Sequence, residues 1–532
     1  MSGVKEARSF LADLPKGDPF KALDEITSWL ISVKDAPGFR PEIRADIFRL
    51  LDETGQPLQA ELLRSYLGAP HLQDFQGRHL WLGIHSFMKA LAEAYAVCVH
   101  EYQQAEKKPF DLKESMPVIC VRLVRAIAEQ MKLEMMRYVE VEQSAWDRMC
   151  GGYSFAEANQ FDTMVYAYPG NAVHTSPQRE LLRAMMLYVS SPGTLAPDQI
   201  EVSYRIAGRL ASFFDFKTAF DPDCAHFLDL SRPGAPGAVS SDLQVTPTMR
   251  FFGAVRAVPK IKEIIDQNER GLVQQEQRFG NEFTPAGKLT VLRHLQMYWG
   301  KDLPHRHQEH KVISTVIEVT HGFRTISKLV THLDMNAVAN LSEKDAAALK
   351  ARSGIKLAAE GDDADYTTED WTALDVSVDE VGGMIPKTAG AWVKIGDLCG
   401  LKAKNSQLWW VGLIRRLKTD PHDMVHVGIE ILAKKPLSVW LRALGKGAEK
   451  VSNWETSSGS FEYDYLPAIL LPDANKSYVN ATMLMEPGSY VLGNIHEMMM
   501  GEKSRDIKLT GLLAEGEDYE QVSFEWLNPA HV

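Results

Sequence analysis

The sequence predicts a multidomain α+β protein: a helical N-terminal region, then an antiparallel β-barrel, then a C-terminal β-rich segment. Three observations predict it. Up to about residue 300, apolar residues recur at i, i+3 and i+4, the period of amphipathic helices. Between 375 and 432, short apolar, β-branched and aromatic runs are broken by Gly, Asp, Asn and Pro, as antiparallel strands require. Near the C-terminus the period falls to about two, with turns about every ten residues. The expected division is a helical domain over 1–230, a linker over 231–246, a helical connector over 247–300, a barrel over 301–445 and a β-rich segment over 446–532.

In "DPFKALDEITSWLISVKD", Phe20, Leu23, Ile26, Trp29 and Leu30 fall near one helical face. "EIRADIFRLLDETGQPLQAELLRSYL" reads as two further amphipathic helices. Longer helices follow, including "PVICVRLVRAIAEQMKLEMMRYVEVE", where Met131, Met135 and Met136 suit either an adaptable binding surface or irregular gaps between helices. Ser176 before Pro177 suits an N-cap with proline at the first helical position. "DLSRPGAPGAVSSDL" (229–243) reads as a surface loop or a boundary. "PTMRFFGAVRAVPKIKEIIDQNERGL" and "TPAGKLTVLRHLQMYWG" read as helical again. "WWVGLIRRL", the turn "KTDPHD" and "VHVGIEIL" form a hairpin signal. Beyond residue 446, "KSYVNATMLM", "SYVLGNIHEMMM", "SRDIKLTGLLAEG" and "YEQVSFEWL" are strands of either a second β-domain or an extension of the first barrel.

The net charge of −12 argues against a protein that coats a nucleic-acid polymer, which needs a broad basic surface. Five scattered cysteines, none in CxxC spacing, suit reduced thiols in a cytoplasm. The N-terminus has no apolar run of signal-peptide length. "LWLGIHSFMKALAEAYAVCV" contains His85, Lys89 and Glu93, which suit a buried helix with one wet edge and no membrane span. There is no Walker A loop, GxSxG, HExxH or dinucleotide fingerprint, so no enzyme is expected. The loop around His174 suits a pocket lining or a capped turn, and the carboxylates Asp362, Asp363, Glu369 and Asp370 read as a solvated acidic loop.

The chemistry-bearing stretch is Asp375-Val376-Ser377 leading to Gly382-Gly383, followed by "VGLIRRL" and "VGIEIL". In that order these pieces resemble the PilZ family, bacterial receptors for cyclic di-GMP. The resemblance covers about 301–445 and implies an Arg-x-x-x-Arg motif before the first strand. Arg306 fits its first position, His310 occupies the second, and Lys311 lies one place beyond. The Asp-x-Ser to glycine spacing is also longer than the family's by about two residues. The resemblance implies a ligand site built from Arg306, His310, Lys311, Asp375, Ser377, Gly382 and Gly383. Arginine suits such a ligand because it grips phosphate, forks to guanine and stacks on a base. His310 presents fewer donors than the arginine it replaces. Alternation puts Arg415 and Arg416 on opposite faces, where one reaches a ligand or both are solvated. The same holds for Trp409 and Trp410, one ring inside the barrel and the other outside.

His305, His307 and Glu309 would share a face if extended, as a facial metal triad or as an exposed cluster with no role; no metal is assigned. The resulting expectation is a cytoplasmic bacterial signalling protein, without a cofactor, that binds cyclic di-GMP and relays it to a protein effector through the helical region. The alternative is a nucleotide-independent scaffold with a degenerate barrel.

Overall fold

The computed structural model describes residues 3–68, 75–106, 110–167, 174–272, 279–300, 310–338, 367–444, 466–473, 480–500 and 503–527. Two compact units emerge: 1–306 with 418–421, and 307–417 with 422–532.

The first unit is built on helices α1 (Val4–Ala12), α2 (Pro19–Asp35), α3 (Pro41–Gly68), α4 (Phe75–Gln104), α5 (Phe110–Met136), α6 (Gln143–Ala158), α7 (Pro177–Tyr188), α8 (Pro197–Leu210), α9 (Val258–Glu269) and α10 (Pro285–Tyr298). Caps fix several starts. Asp18 accepts from the Lys21 N–H at 2.9 Å, Ser176 from Arg179 at 3.3 Å and Thr284 from Gly287 at 3.1 Å, each followed by proline. On α2, Leu23, Ile26 and Leu30 are buried, while Phe20 and Trp29 lie at the edge of the face. Met131, Met135 and Met136 are buried, so they fill the core. The helix α4 is long and apolar enough to cross a bilayer by length and composition, and 56% of that stretch is buried.

Three sequence expectations change here. The stretch expected to form two helices is the single helix α3, with Pro57 inside it. Gly55 lets it continue past α4: a Cβ there would stand 2.4 Å from the Phe87 ring. The expected linker is a loop inside the first unit, with no boundary there, and it contributes one two-residue strand to a sheet. Besides the pair β1 (Tyr166–Ala167) and β2 (His174–Thr175), the unit holds β3 (Asp215–Lys217), β4 (His226–Asp229), β5 (Gly237–Ala238) and β6 (Met249–Gly253), ordered β3-β6-β4-β5. The Pro-Gly stretch returns the chain as β5, and Asp229 ties it down by accepting from Ser231 and Thr248 at 2.8 and 2.7 Å. "MRFFG", expected to be helical, is β6; Phe251 and Phe252 are both fully buried, one on each side of it.

The second unit holds two closed six-stranded antiparallel barrels. The first comprises β7 (Lys311–His321), β8 (Glu369–Val376), β9 (Glu380–Pro386), β10 (Leu398–Ala403), β11 (Trp410–Thr419) and β12 (Met424–Ala433), ordered β10-β11-β12-β9-β8-β7. A helix absent from the sequence reading, α11 (Phe323–Val338), follows β7. The second comprises β13 (Leu437–Leu444), β14 (Leu466–Leu471), β15 (Thr482–Met485), β16 (Ile495–Met500), β17 (Lys503–Glu515) and β18 (Glu520–Trp526). It closes as β13-β14-β15-β18-β17-β16 around Met483, Met485, Met498, Ile507 and Val522. The C-terminal strands therefore make a barrel of their own, and it begins at β13, before the expected boundary at 445. Phe323 and Ile326 of α11 join Val411 and Leu413 of the first barrel to Ile469 and Leu484 of the second in one buried cluster. Glu369, expected in a solvated acidic loop, sits on β8 and accepts from the indole N–H groups of Trp371 at 3.0 Å and Trp392 at 2.9 Å.

All five cysteines are free and buried, and burial pushes the thiols of Cys98, Cys120, Cys150 and Cys224 up to about 12. Burial also pushes the Asp397 carboxyl up to about 7, with Glu517 and Asp518 adding to it and Lys394 opposing. A carboxyl raised on folding holds a proton that the unfolded chain has lost between about pH 4 and pH 7. Its contribution is therefore greatest in acid and declines as pH rises through 7, with a slope of up to about 1.4 kcal/mol per unit. The expected result is that Asp397→Asn flattens the fall in melting temperature between pH 5 and pH 7.5, read by thermal denaturation across that range.

A glycine-floored trough on the first barrel

Of the site residues expected from the sequence, Lys311 opens β7, Asp375 lies on β8, and Gly382 and Gly383 lie on β9. On β8, Asp375 pairs with Gly382 of β9, and Gly382 pairs with Gly428 of β12. Directly opposed residues share a sheet face. On the next strand, β11, the Arg416 side chain crosses Gly428: a Cβ there would stand 3.1 Å from the Arg416 Cβ and 3.4 Å from its Nε. One row thus runs Arg416, Gly428, Gly382, Asp375, and its two central positions carry no side chain. A Cβ at Gly382 would lie 2.7 and 2.8 Å from the Asp375 carboxylate oxygens, so glycine is what lets that carboxylate lie flat. A bulge between Ala373 and Asp375 re-aims the carboxylate onto this face.

His310 closes one end of the row. Its Nδ1 lies 2.7 Å from Asp375 Oδ1 and its Nε2 lies 3.2 Å from Glu380 Oε2. The residue at the expected second-arginine position therefore engages the protein's own aspartate. Ser377 is also engaged. It closes the β8–β9 turn, donating its N–H to the Glu380 carbonyl at 2.9 Å and accepting the Glu380 N–H on Oγ at 3.0 Å. Gly383 leaves room for Trp371, whose ring a Cβ would approach to 3.1 Å. Lys311 opens β7, exposed and paired with Val376. Arg306, His305, His307 and Glu309 lie outside the described residues, as do Asp362 and Asp363. Among the described residues no group of His, Cys, Asp or Glu is arranged to hold a metal ion.

The two strand arginines are both exposed and have different surroundings. Arg415 pairs with Glu430 at 2.6 Å, whereas Arg416 has no hydrogen-bond or ion-pair partner among the described residues. Of the tryptophan pair, Trp409 is buried with Lys402 5.0 Å from its ring, and Trp410 is half-buried with Lys434 at 4.8 Å. The sequence reading left open which arginine matters. The signal that separates them is Gly428, twelve residues on from Arg416, and it means something only once the β11–β12 pairing is known.

A second polar site lies in the helical unit. Arg125 of α5, Arg179 and Arg183 of α7, and Arg205 and Arg209 of α8 surround a cavity of about 250 Å³. The i, i+4 spacing sets each helix's pair on one side. Thr175, at the end of the loop around His174, also lines it.

Residues 5–222, on the helical unit, match a family described as the N-terminal domain of the cyclic-di-GMP receptor FimW. Residues 455–527, on the second barrel, match the FimW C-terminal β-barrel domain. The first barrel lies between these stretches. No curated protein matches the chain. A solved structure of MrkH, described as a c-di-GMP-dependence transcription regulatory factor, aligns over 31% of this chain and 75% of its own. At 8% identity and a TM-score of 0.13 that likeness carries no argument. Both ends of the chain match domains of one family of cyclic-di-GMP receptors.

Proposed function

We propose that the chain is a regulatory receptor that takes cyclic di-GMP in the trough of its first, PilZ-like barrel and relays binding to a protein partner through its helical region. The observation that carries this reading is the row from Arg416 across Gly428 and Gly382 to Asp375. A purine needs a flat floor, which two adjacent glycines supply. The guanine edge presents an N–H donor that a carboxylate accepts, and Arg416 offers a fork for phosphate or a plane for stacking. Lys311 adds charge at the mouth of β7, and Arg306 lies five residues before it in sequence.

His310 supplies the coupling. For the ligand to reach Asp375, the His310 contact must open, and His310 follows directly on the segment that joins α10 to β7 in sequence. A ligand that binds the opened arrangement better than the closed one shifts the equilibrium by that difference in affinity. The same contact favours one rival, a barrel closed to nucleotide by its own histidine and kept as a scaffold.

Calorimetric titration of the full chain with cyclic di-GMP separates the two. Saturable micromolar or tighter binding, weakened by Arg416→Ala, is the expected outcome. A flat titration near a millimolar selects the scaffold.

A further inference from the structure

We infer that the arginine-lined cavity between α5, α7 and α8 is a second, separate ligand site, one that takes the phosphate group of a nucleotide-sized phosphate ester. The inference stands apart from the barrel reading. Five guanidiniums line the cavity, against a single carboxylate, Glu180. Behind them, Glu129 pairs with Arg125 and Lys132, Glu201 with Lys132 and Arg205, and Glu282 with Arg205. This concentration of guanidiniums sits in a chain whose net charge is −12. The field is visible in the acids: burial would raise Glu129 and Glu201, yet the surrounding cations hold both below the usual carboxylate range.

The guanidiniums are pre-positioned. Arg183 donates from Nε to the Tyr204 carbonyl at 3.0 Å and lies 3.5 Å over the Tyr204 ring. Arg205 is held by Glu201 and Glu282, both at 2.8 Å. Arg179 donates to the His174 carbonyl at 3.0 Å. A guanidinium has five N–H donors, and each of these contacts uses one or two of them. Two glycines keep the space: a Cβ at Gly208 would stand 2.8 Å from Arg183 Nε, and one at Gly280, where φ is +112°, would stand 2.4 Å from an Arg205 nitrogen. Arg125 and Arg183 are only 12% and 13% exposed, which strengthens their pull on an anion relative to a surface cluster. A second cavity of about 270 Å³ shares Arg179 and Ala211 and adds Lys217 and the Arg256–Asp215 pair, leaving room for the rest of the ligand.

The test uses the full chain and inorganic pyrophosphate at constant ionic strength, read by thermal shift and calorimetry. The variants are wild type, Arg179→Gln with Arg209→Gln, and Arg416→Ala. Arg179 is half-buried and Arg209 exposed, and circular dichroism of the double variant checks that it folds. The expected result is saturable binding, at least tenfold weaker in the double variant and unchanged in Arg416→Ala. Absence of saturable binding, equal affinity in the double variant, or loss in Arg416→Ala would overturn the inference. A chain that ignores cyclic di-GMP yet takes pyrophosphate at these arginines removes the barrel reading and leaves this one standing.

Discussion

Asp52→Ala is expected to destabilise the helical unit by about 3–5 kcal/mol, the cost of leaving a buried charge without its partner. Asp52 is fully buried, and it accepts from Arg122 at 2.6 Å, Tyr95 at 2.7 Å and Gln56 at 2.7 Å. The Arg122 side chain is 5% exposed, and without Asp52 it keeps Glu53 at 2.7 Å, a carboxylate 39% exposed. Three helices meet at this carboxylate: α3 supplies Asp52, α4 Tyr95 and α5 Arg122. Against a total stability of about 5–15 kcal/mol the loss is large, and it lowers the melting temperature by about 10 °C. Replacing both partners with apolar residues of similar volume, Asp52→Leu with Arg122→Met, is expected to recover most of the loss, because neither charge is then stranded. Thermal denaturation of the two variants checks both statements. If the double variant is no better than the single, the ion pair is not what holds these helices.

Arg416→Ala is expected to weaken cyclic di-GMP binding by about 10- to 100-fold, the worth of one or two charge-assisted hydrogen bonds at about 1.5–3 kcal/mol. Its neighbour is the internal control. Arg415→Ala breaks an exposed pair with Glu430 and is expected to change affinity by less than about threefold, since such pairs contribute at most about 1 kcal/mol. Folding stability should change little in either variant, because both side chains are exposed. Equal effects of the two substitutions would show that general positive charge, rather than the glycine-floored row, attracts the ligand.

Local chemistry made much of the fold legible. The apolar spacing of Leu23, Ile26 and Leu30 gives the buried face of α2, and Ser176-Pro177 gives the start of α7. The expected order of helical region, barrel and β-rich segment matches the structure. What failed depended on tertiary context. Pro57 reads as a break, but α3 passes through it beside a closely packed Phe87. "MRFFG" has no period that distinguishes a buried strand from a buried helix, and pairing with β3 and β4 decides it.

The candidate site was legible in its residue types and not in its arrangement. Asp375, Gly382 and Gly383 stand in a motif. That Arg416 joins them through Gly428 depends on the register of β11, β12 and β9, which no local pattern encodes. His310, expected in the ligand site, contacts Asp375 of that same site, a pairing across 65 residues. The arginine cavity had a visible trace in "RELLR" and "RIAGR", each an i, i+4 pair, but two such pairs on one predicted helical region do not reveal that they face each other.

The most direct measurement is hydrogen–deuterium exchange of the full chain with and without saturating cyclic di-GMP. The trough reading predicts slowed exchange over 375–383 and 426–430, with altered exchange at the start of β7 as His310 leaves Asp375. Unchanged exchange across the first barrel under saturating ligand, with protection confined to α7 and α8 or absent throughout, would contradict it.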